Sequence, residues 1–276
     1  MSLQWFPGHM TKALRELKEL LPSQDLVIEV IDARLPASSA NPLLRKLQGD
    51  KPCVKVLTKS DLADPRRTTE WLDHLRSQPH VSAIIANRDD PGDTRNRVSA
   101  LCKEAAKARG PSKAPRALIM GVPNVGKSSL VNTLMQRKIA AIGDKPAVTK
   151  IQQLVVLKDG TKLTDSPGVM WPNITNELTA QRLALAGSIP DTAIDYQAIG
   201  MFAAELFLKE YPLLLKARYK LSALPADAEA LLHEIGRRRG LLRAGGIVEF
   251  HKAAELIVHE FRSGTIGRIT LDVVPG

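Results

Sequence analysis

The stretch "GVPNVGKSSL" has the residue types and spacing that can hold a phosphate group. Gly121 is followed after four residues by Gly126, Lys127 and Ser128, between an apolar run and a helical pattern. In such a loop backbone N–H groups surround a phosphate, the lysine reaches the outer phosphates, and the serine hydroxyl faces Mg2+. The stretch therefore predicts a phosphate-binding loop. Its other residues predicted to contact the nucleotide are Asn124, Val125 and Ser129.

Two downstream segments complete a predicted magnesium site. Asp165 opens the stretch "DSPG", where the carboxylate can hold Mg2+ through water and the backbone of Gly168 can approach the terminal phosphate. Thr149, in the loop "GDKPAVTK", is predicted to bind the metal when a triphosphate is present. We expect Ser128, Thr149 and Asp165 to surround Mg2+, and Lys127 and Thr149 to act in catalysis.

A further stretch, "LTKSD", has residues that can read a guanine base. Asp61 would accept hydrogen bonds from N1–H and the exocyclic amine of guanine, whereas adenine would leave the carboxylate unpaired. Lys59 would pack its aliphatic stem on the ring. A later loop, "IANR", is a candidate for further base contacts through its backbone. The predicted base-contacting residues are Thr58, Lys59, Ser60, Asp61, Ala86 and Asn87.

The motifs occur in an unusual order, because "TKSD" precedes the phosphate loop. All the elements fit one rotated order that starts with "TKSD" and ends with "DSPG", which indicates a circular permutation of a GTPase domain. The linker "GPSKAP" would then join the former ends. Since "DSPG" leads directly into the C-terminal region, we expect its ordering around the terminal phosphate to set the orientation of that region.

The elements that must position these motifs alternate between strand and helix. Apolar runs of strand length alternate with helical patterns, which predicts an α/β fold with a mostly parallel, doubly wound sheet. Helical patterns alone follow from about Leu178. We therefore predict a circularly permuted P-loop GTPase domain over residues 1–177, including the N-terminal segment 1–24, and a small helical domain over residues 178–276. The predicted strands are "LVIEVIDA", "PCVKVL", "HVSAIIA" and "RALIMGV", followed by a hairpin of "QQLVVLKDG" and "TKLTDSPG".

The composition favours a polyanionic partner and a reducing compartment. The chain of 276 residues has a formal net charge of +10, which favours nucleic acid ahead of a membrane surface. Cys53 and Cys102 lack metal-like spacing and predict buried thiols. No stretch reaches the roughly 18 apolar residues of a membrane span, and the first residues do not form a signal peptide pattern. We expect a cytoplasmic protein with no membrane partner.

With these motifs in place, the sequence resembles the YlqF/RbgA family of circularly permuted ribosome-biogenesis GTPases. The resemblance covers nearly the whole chain, and its cofactors would be GTP or GDP with Mg2+. It implies GTP hydrolysis during maturation of the large, 50S-type ribosomal subunit, with a helical C-terminal domain that binds rRNA and no DNA partner. The resemblance is carried by "WFPGHM", "DARLPASSANP", "TKSD", "GVPNVGKSSL", "PAVTK" and "DSPG".

The resemblance also implies roles for His9 and Asn124 that the motifs alone do not predict. Val169 and Met170 follow "DSPG", and neither side chain can orient a water as the glutamine of many GTPases does. In the resembling family the histidine of the P-G-H-M segment is the candidate replacement, which implies a catalytic role for His9. Asn124 matches an asparagine that accompanies K+ in related GTPases. Thr58 departs from the commoner asparagine of the base loop.

Basic clusters in the helical domain are candidates to contact rRNA phosphates. A charge run is more usually a solvated surface, and few aromatic side chains interleave these clusters, so base stacking is not expected. The candidate residues are Lys216, Arg218, Lys220, Arg237, Arg238, Arg239 and Arg243.

Two other functions remain open at this point. One is a regulatory GTPase switch that acts on a protein partner, and the other is an RNA-binding module with a merely structural nucleotide site. The basic balance and the helical C-terminal region count against the first. The complete set formed by Lys127, Ser128, Thr149 and Asp165 counts against the second, because a structural site needs no magnesium ligands.

Overall fold

A six-stranded sheet forms the centre of the chain, in the order β3-β2-β1-β4-β6-β5. The computed structural model describes residues 8–107, 114–136, 153–172 and 174–275. All neighbouring strands are parallel except β5, which pairs with β6 in antiparallel fashion. The predicted α/β fold with a mostly parallel sheet is therefore confirmed. The strands are β1 (Leu26–Asp32), β2 (Cys53–Thr58), β3 (Val81–Ile85), β4 (Arg116–Met120), β5 (Gln153–Val156) and β6 (Lys162–Asp165).

Helices cover both faces of the sheet, as the apolar character of its central strands requires. Leu26, Ile28 and Val30 of β1 pack in the same cluster as residues of α4 and α5. Val27, between them, faces the other way and packs with residues of α1 and α2. The helices of this part are α1 (Gly8–Leu20), α2 (Pro42–Gln48), α3 (Pro65–Arg76), α4 (Pro91–Ala106) and α5 (Lys127–Met135).

Short sequence signals begin the helices that follow the strands. Asp64 accepts hydrogen bonds from the backbone N–H groups of α3, and Asp90 does the same for α4. Each aspartate is followed by a proline, Pro65 or Pro91, whose fixed φ suits the first helical turn. These two caps end the loops that follow β2 and β3, so they limit how far those loops extend.

Helices also make up the C-terminal region. It begins at α6, where Asn176 caps the first turn, next to the boundary expected at residue 178. One continuous apolar cluster runs from the sheet into these helices, so the two regions share a core. Among the described residues, none of the helices has the length and apolarity needed to cross a membrane. The helices are α6 (Glu177–Leu185), α7 (Tyr196–Glu210), α8 (Pro212–Tyr219), α9 (Ala228–Arg238) and α10 (Phe250–Arg262).

The segment after α10 returns to the sheet region as an extended strap over residues 266–272. Ile269 N donates to Leu62 O at 3.0 Å, and Leu271 N donates to Arg34 O at 2.6 Å. The fully buried Asp272 accepts hydrogen bonds from Ser38 N and Oγ, both at 2.7 Å. The strap therefore ties the helical region to the loops that follow β1 and β2.

Candidate nucleotide site

A cavity of about 1060 Å³ opens at the carboxyl edge of the sheet. The parallel register explains its position, because Asp32 lies opposite Thr58 and Ile119 lies opposite Asp165, so the loops after β1, β2, β4 and β6 all leave at the carboxyl edge of the sheet. Ser60 and Val125, which were predicted to contact the nucleotide, do not line the cavity. The predicted nucleotide contacts that do line it are Thr58, Lys59, Asp61, Ala86, Asn87, Asn124, Gly126, Lys127, Ser128, Ser129 and Gly168.

The phosphate loop has the backbone shape that its glycines allow. Gly126 has φ +97°, in the left-handed region, and helix α5 begins at the next residue. Gly168 approaches the loop so closely that an added Cβ would lie 2.9 Å from Pro123 Cα. The two predicted phosphate elements therefore meet beside Lys127, the first residue of α5, where backbone N–H groups favour an anion.

Lys127 is buried inside the phosphate loop. Its Nζ donates to Gly121 O at 3.2 Å and to Val122 O at 3.0 Å. Burial lowers the pKa of Lys127 to about 8, although the nearby Asp165 carboxylate opposes the shift. The ammonium thus uses loop carbonyls as partners in this structure, and a bound phosphate would be a stronger one.

Asp165 ends β6 beside the phosphate loop and is suited to a cation. Both of its carboxylate oxygens are buried, and neither accepts a hydrogen bond from the part of the chain that the structure describes. Burial raises the pKa of Asp165, and the positive charge of Lys127 opposes the shift. Within the described ranges no group of three or more His, Cys, Asp and Glu residues forms a metal cluster. An orphaned carboxylate beside a phosphate loop fits Mg2+, which commonly takes one or two carboxylates plus substrate phosphates.

The base loop is joined to the phosphate loop by two side chains. Lys59 has φ +56°, and its Nζ donates to Asn124 O at 2.6 Å. The Thr58 hydroxyl lies within hydrogen-bond distance of Val125 O and of Ile31 O. Thr58 and Lys59 therefore hold the predicted base-reading loop against the predicted phosphate loop.

The second base loop lies beside Asp61. Asp61 Oδ2 is 3.4 Å from Arg88 Nη1, and both residues line the cavity. The backbone N–H groups of the predicted base contacts Ala86 and Asn87 donate within the protein. Ala86 N donates to Leu57 O at 2.8 Å, and Asn87 N donates to Thr94 Oγ1 at 3.0 Å. The structure thus places the Arg88 guanidinium beside the predicted base-reading carboxylate.

A buried ion pair at the end of β1 lies outside the sequence motifs. Arg34 Nε and Nη2 donate to the two oxygens of Asp32 at 3.0 and 2.8 Å, and Lys59 Nζ lies 3.0 Å from Asp32 Oδ2. Although burial alone would raise it, the pKa of Asp32 is held well below its usual range by Arg34 and Lys59. The signal was present in "DARLPASSANP", where an acidic residue ends a buried strand at the carboxyl edge.

Arg34 also carries this network into the helical region. Its guanidinium lies over the ring of Phe261, 4.9 Å from the centroid, and approaches the carbonyls of Ala186 and Arg262. Arg34 is buried, with 1% of its surface exposed, so its guanidinium gains from each of these contacts in place of water. The lysine of the base loop is therefore connected through Asp32 and Arg34 to α10.

The helical region forms one wall of the cavity. Asn124 Nδ2 donates to Gly187 O at 2.8 Å, which joins the phosphate loop to the turn after α6. Arg262 donates to Leu185 O at 3.0 Å and to Ala184 O at 2.9 Å, and so satisfies the last carbonyls of α6. The lining residues from this region are Ala186, Gly187, Asp191, His259, Glu260, Arg262 and Ser263.

Two predicted catalytic residues have no described side chain. His9 lies in the first turn of α1, and its side chain is outside the described part. Thr149 lies wholly outside the described residues. Val169 and Met170 are 1% and 0% exposed, so the residues after "DSPG" face the core and not the cavity.

The basic residues predicted to contact RNA come together at the ends of α8 and α9. Arg238 Nη1 donates to Lys220 O at 2.7 Å, and Arg218 and Arg239 both approach Glu260. Arg237 and Arg238 pair with Glu234, and Arg243 pairs with Glu249. No carboxylate of the described residues lies within ion-pair distance of Lys216 or Lys220. The two clusters thus form one surface, in which the arginines are already paired.

The fold and the cavity define a P-loop GTPase whose motifs occur in permuted order. The family described as "50S ribosome-binding GTPase" matches residues 116–201. Two solved structures with the same arrangement are GDP-bound YlqF, with a TM-score of 0.65, 26% identity and coverage of 94% of this chain and 99% of that one, and GNP-bound YlqF from Thermotoga maritima, with a TM-score of 0.62, 27% identity and coverage of 95% and 97%.

Sequence relatives extend over nearly the full chain. Ribosome biogenesis GTPase A of Bacillus cereus is 40% identical over 99% of this chain and 94% of its own length. The protein of that name from Thermotoga maritima is 31% identical over 98% and 94%, and mitochondrial ribosome-associated GTPase 1 of Mus musculus is 30% identical over 98% and 90%. The chain belongs to the ribosome biogenesis GTPase A family, which confirms the resemblance to the YlqF/RbgA type and the assignment as a guanine-nucleotide-hydrolysing enzyme.

Proposed function

We propose that this GTPase assists maturation of the large ribosomal subunit in the cytoplasm by binding rRNA of the subunit precursor and hydrolysing GTP there. The observation that carries the proposal is the cavity whose walls come from the phosphate loop, the base loop and the helical region. A nucleotide in this cavity would touch both regions at once. Its hydrolysis can therefore change how the helical region is held, and relatives named for ribosome biogenesis supply the context.

The phosphates would be held by the phosphate loop and its flanking elements. We assign Lys127 to the outer phosphates, because its ammonium is already inside the loop. Ser128 and Asp165, with Thr149, would hold Mg2+, which neutralises charge on the phosphate oxygens when bound. Gly168 would bring its backbone N–H to the terminal phosphate, since no side chain separates it from Lys127.

The base would lie between Lys59 and Asp61. The Lys59 ammonium is fixed by Asp32 and Asn124 O, which leaves its aliphatic stem along the cavity wall to pack on a ring. Asp61 would accept from N1–H and the exocyclic amine of guanine. The carboxylate is 35% exposed, so it can reach a ligand and still lose water when the base enters.

Activation of the attacking water needs a group other than the residues after "DSPG". Val169 and Met170 are buried, and both backbone groups of Val169 are bonded, to Gly121 O at 3.2 Å and to Asn41 Nδ2 at 2.8 Å. This segment therefore cannot turn a side chain toward the phosphates without breaking these bonds. We assign water activation to His9, and a K+ ion beside Asn124 would add positive charge near the phosphates.

Turnover measurements with and without ribosomal particles test the proposal. We expect GTP hydrolysis to rise strongly with purified large subunits and to stay near the basal rate with small subunits. Lys127→Ala should lose nucleotide-dependent binding to precursor particles. A turnover rate that is equal with and without large subunits would contradict the proposal, and stimulation by a ribosome-free protein fraction would favour a switch acting on a protein partner.

The basic surface of α8 and α9 is tested separately. We expect Lys216→Ala combined with Lys220→Ala to weaken rRNA binding. The slope of log affinity against log salt concentration should also become less steep by about two, because it falls by about one for every phosphate that the protein no longer neutralises. Arg218 and Arg239 would bind phosphate only by leaving Glu260, so single substitutions there should have smaller effects. Lys46→Ala, on the exposed side of α2, is the matched control. An unchanged salt dependence in the double variant would remove this surface from the proposal.

A further inference from the structure

We propose that Arg88 reads the O6 atom of guanine and is, with Asp61, a specificity-determining residue of the nucleotide site. The inference rests on the proposed placement of the base beside Asp61. Arg88 belongs to the loop after β3, and its Nη1 lies 3.4 Å from Asp61 Oδ2. Both residues line the cavity. A hydrogen-bond donor and an acceptor are thus side by side at the place where the edge of the base would lie.

The edge of guanine has a complementary pattern. Its O6 atom is an acceptor, and the adjacent N1–H is a donor, so a guanidinium beside a carboxylate can bind both at once. Adenine presents an amine donor in place of O6 and no hydrogen on N1. The guanidinium would then face a donor and the carboxylate would face an acceptor. The Asp61–Arg88 pair therefore discriminates against adenine at two atoms.

Two backbone donors of the same loop are already used within the protein. The N–H of Ala86 completes the edge of the sheet at Leu57 O, and the N–H of Asn87 is bonded to Thr94 Oγ1. The side-chain Oδ1 of Asn87 accepts from Asp89 N at 3.0 Å, which adds a further bond within the loop. These bonds hold the loop in one shape, from which the guanidinium of Arg88, with its five N–H donors, can reach the base.

Guanine can enter without a large cost to the ion pair. The Arg88 side chain is 82% exposed, and an exposed pair of this kind contributes little to stability. Since the guanidinium keeps its interaction with Asp61 while another of its N–H groups turns to O6, the base adds a partner and removes none. The loop bonds at Asn87 and Asp89 keep the Arg88 backbone in place during this turn.

The test measures nucleotide affinity with and without an oxygen at position 6. We expect Arg88→Ala to weaken GDP binding about tenfold, within the range for a side chain that reads one base edge. Binding of 6-thio-GDP should change less than about twofold, because sulfur is a weak acceptor and gains little from Arg88 in the first place. Arg88→Lys should restore part of the GDP affinity, since an ammonium can also donate to O6.

Arg66→Ala is the matched control, because Arg66 is 89% exposed and forms a similar surface ion pair with Glu70 outside the cavity. It should leave both affinities unchanged. The proposal would be overturned if Arg88→Ala tightened GDP binding, left it unchanged, or weakened GDP and 6-thio-GDP equally. Asp61→Ala separates this outcome from a failure of the site itself: if GDP affinity survives that change, the base is not beside Asp61 at all.

Discussion

Asn124 bonds the phosphate loop to the helical region, because its side-chain amide donates to Gly187 O at 2.8 Å. The same residue has φ +59°, and its backbone carbonyl accepts from Lys59 Nζ at 2.6 Å. One residue of the phosphate loop thus joins the base loop and the turn after α6. The bond to Gly187 also orients the amide, so that its oxygen is held in a defined direction.

This relationship makes Asn124 testable as a K+ ligand. We expect Asn124→Ala to lower GTP turnover in K+ about tenfold, to the rate measured in Na+, since about 1.4 kcal/mol of transition-state stabilisation is lost. Asn124→Asp keeps an oxygen but loses the donor to Gly187, so K+ stimulation should persist while thermal stability falls. Asn96→Ala, on α4, is the control for loss of an amide. An unchanged ratio of K+ to Na+ rates in Asn124→Ala would show that Asn124 is not a K+ ligand.

The features that the sequence predicts best are those that depend on residues close together along the chain. The buried run at β1 and the motif spacing around Lys127 were sufficient to predict the sheet and the phosphate loop. Contacts between distant residues left no such pattern. Arg34 lies far along the chain from its helical partners Ala186 and Phe261, and an arginine in a loop is normally solvated. Its burial follows only from how the helical region docks.

Asp165 provides a second prediction, because its carboxylate oxygens are buried and have no hydrogen-bond partner in the described part of the chain, an arrangement that suits Mg2+ and is costly without it. Since burial raises its folded-state pKa, the stability it contributes is lost as pH rises above the ordinary carboxyl range. We expect Asp165→Asn to raise the melting temperature of the nucleotide-free protein at pH 7 and to abolish the Mg2+ dependence of GTP-analogue binding. Calorimetry with and without Mg2+ measures both effects.

Asp159, on the hairpin turn before β6, is the control for Asp165. Although burial opposes it, the pKa of Asp159 is lowered by hydrogen bonds from Ser99 and Thr161 and by the charge of Lys103. Asp159→Asn should therefore lower the melting temperature slightly and leave Mg2+ dependence intact. The magnesium assignment would be wrong if Asp165→Asn bound the GTP analogue with the wild-type dependence on Mg2+.

Lys127 provides a prediction on pH. Its pKa of about 8 in the nucleotide-free protein lies below the usual lysine value, and the negative charge of bound phosphates should raise it again. Above a pH of about 8 the Lys127 amine is mostly neutral before GDP binds, so GDP binding must take up a proton. The GDP affinity therefore falls as the pH rises. We expect GDP affinity to decrease about tenfold between pH 7 and pH 9. Calorimetry at pH 8 in buffers with different ionisation enthalpies should show proton uptake, and no uptake would mean that Lys127 is already fully charged.

Asp272 tests whether the strap after α10 supports the base loop. Its buried carboxylate is bonded to Ser38 and lies 2.9 Å from Arg182 Nη1. Asp272→Ala would leave these donors without their partner, and we expect it to lower the free energy of unfolding by about 3 kcal/mol. GDP affinity should fall as well, because the strap holds Leu62 O, next to Asp61, through Ile269 N. Val273→Ala, at a position that is 64% exposed, is the control. Equal unfolding temperatures and equal GDP affinities in the two variants would show that the base loop keeps its position without the strap.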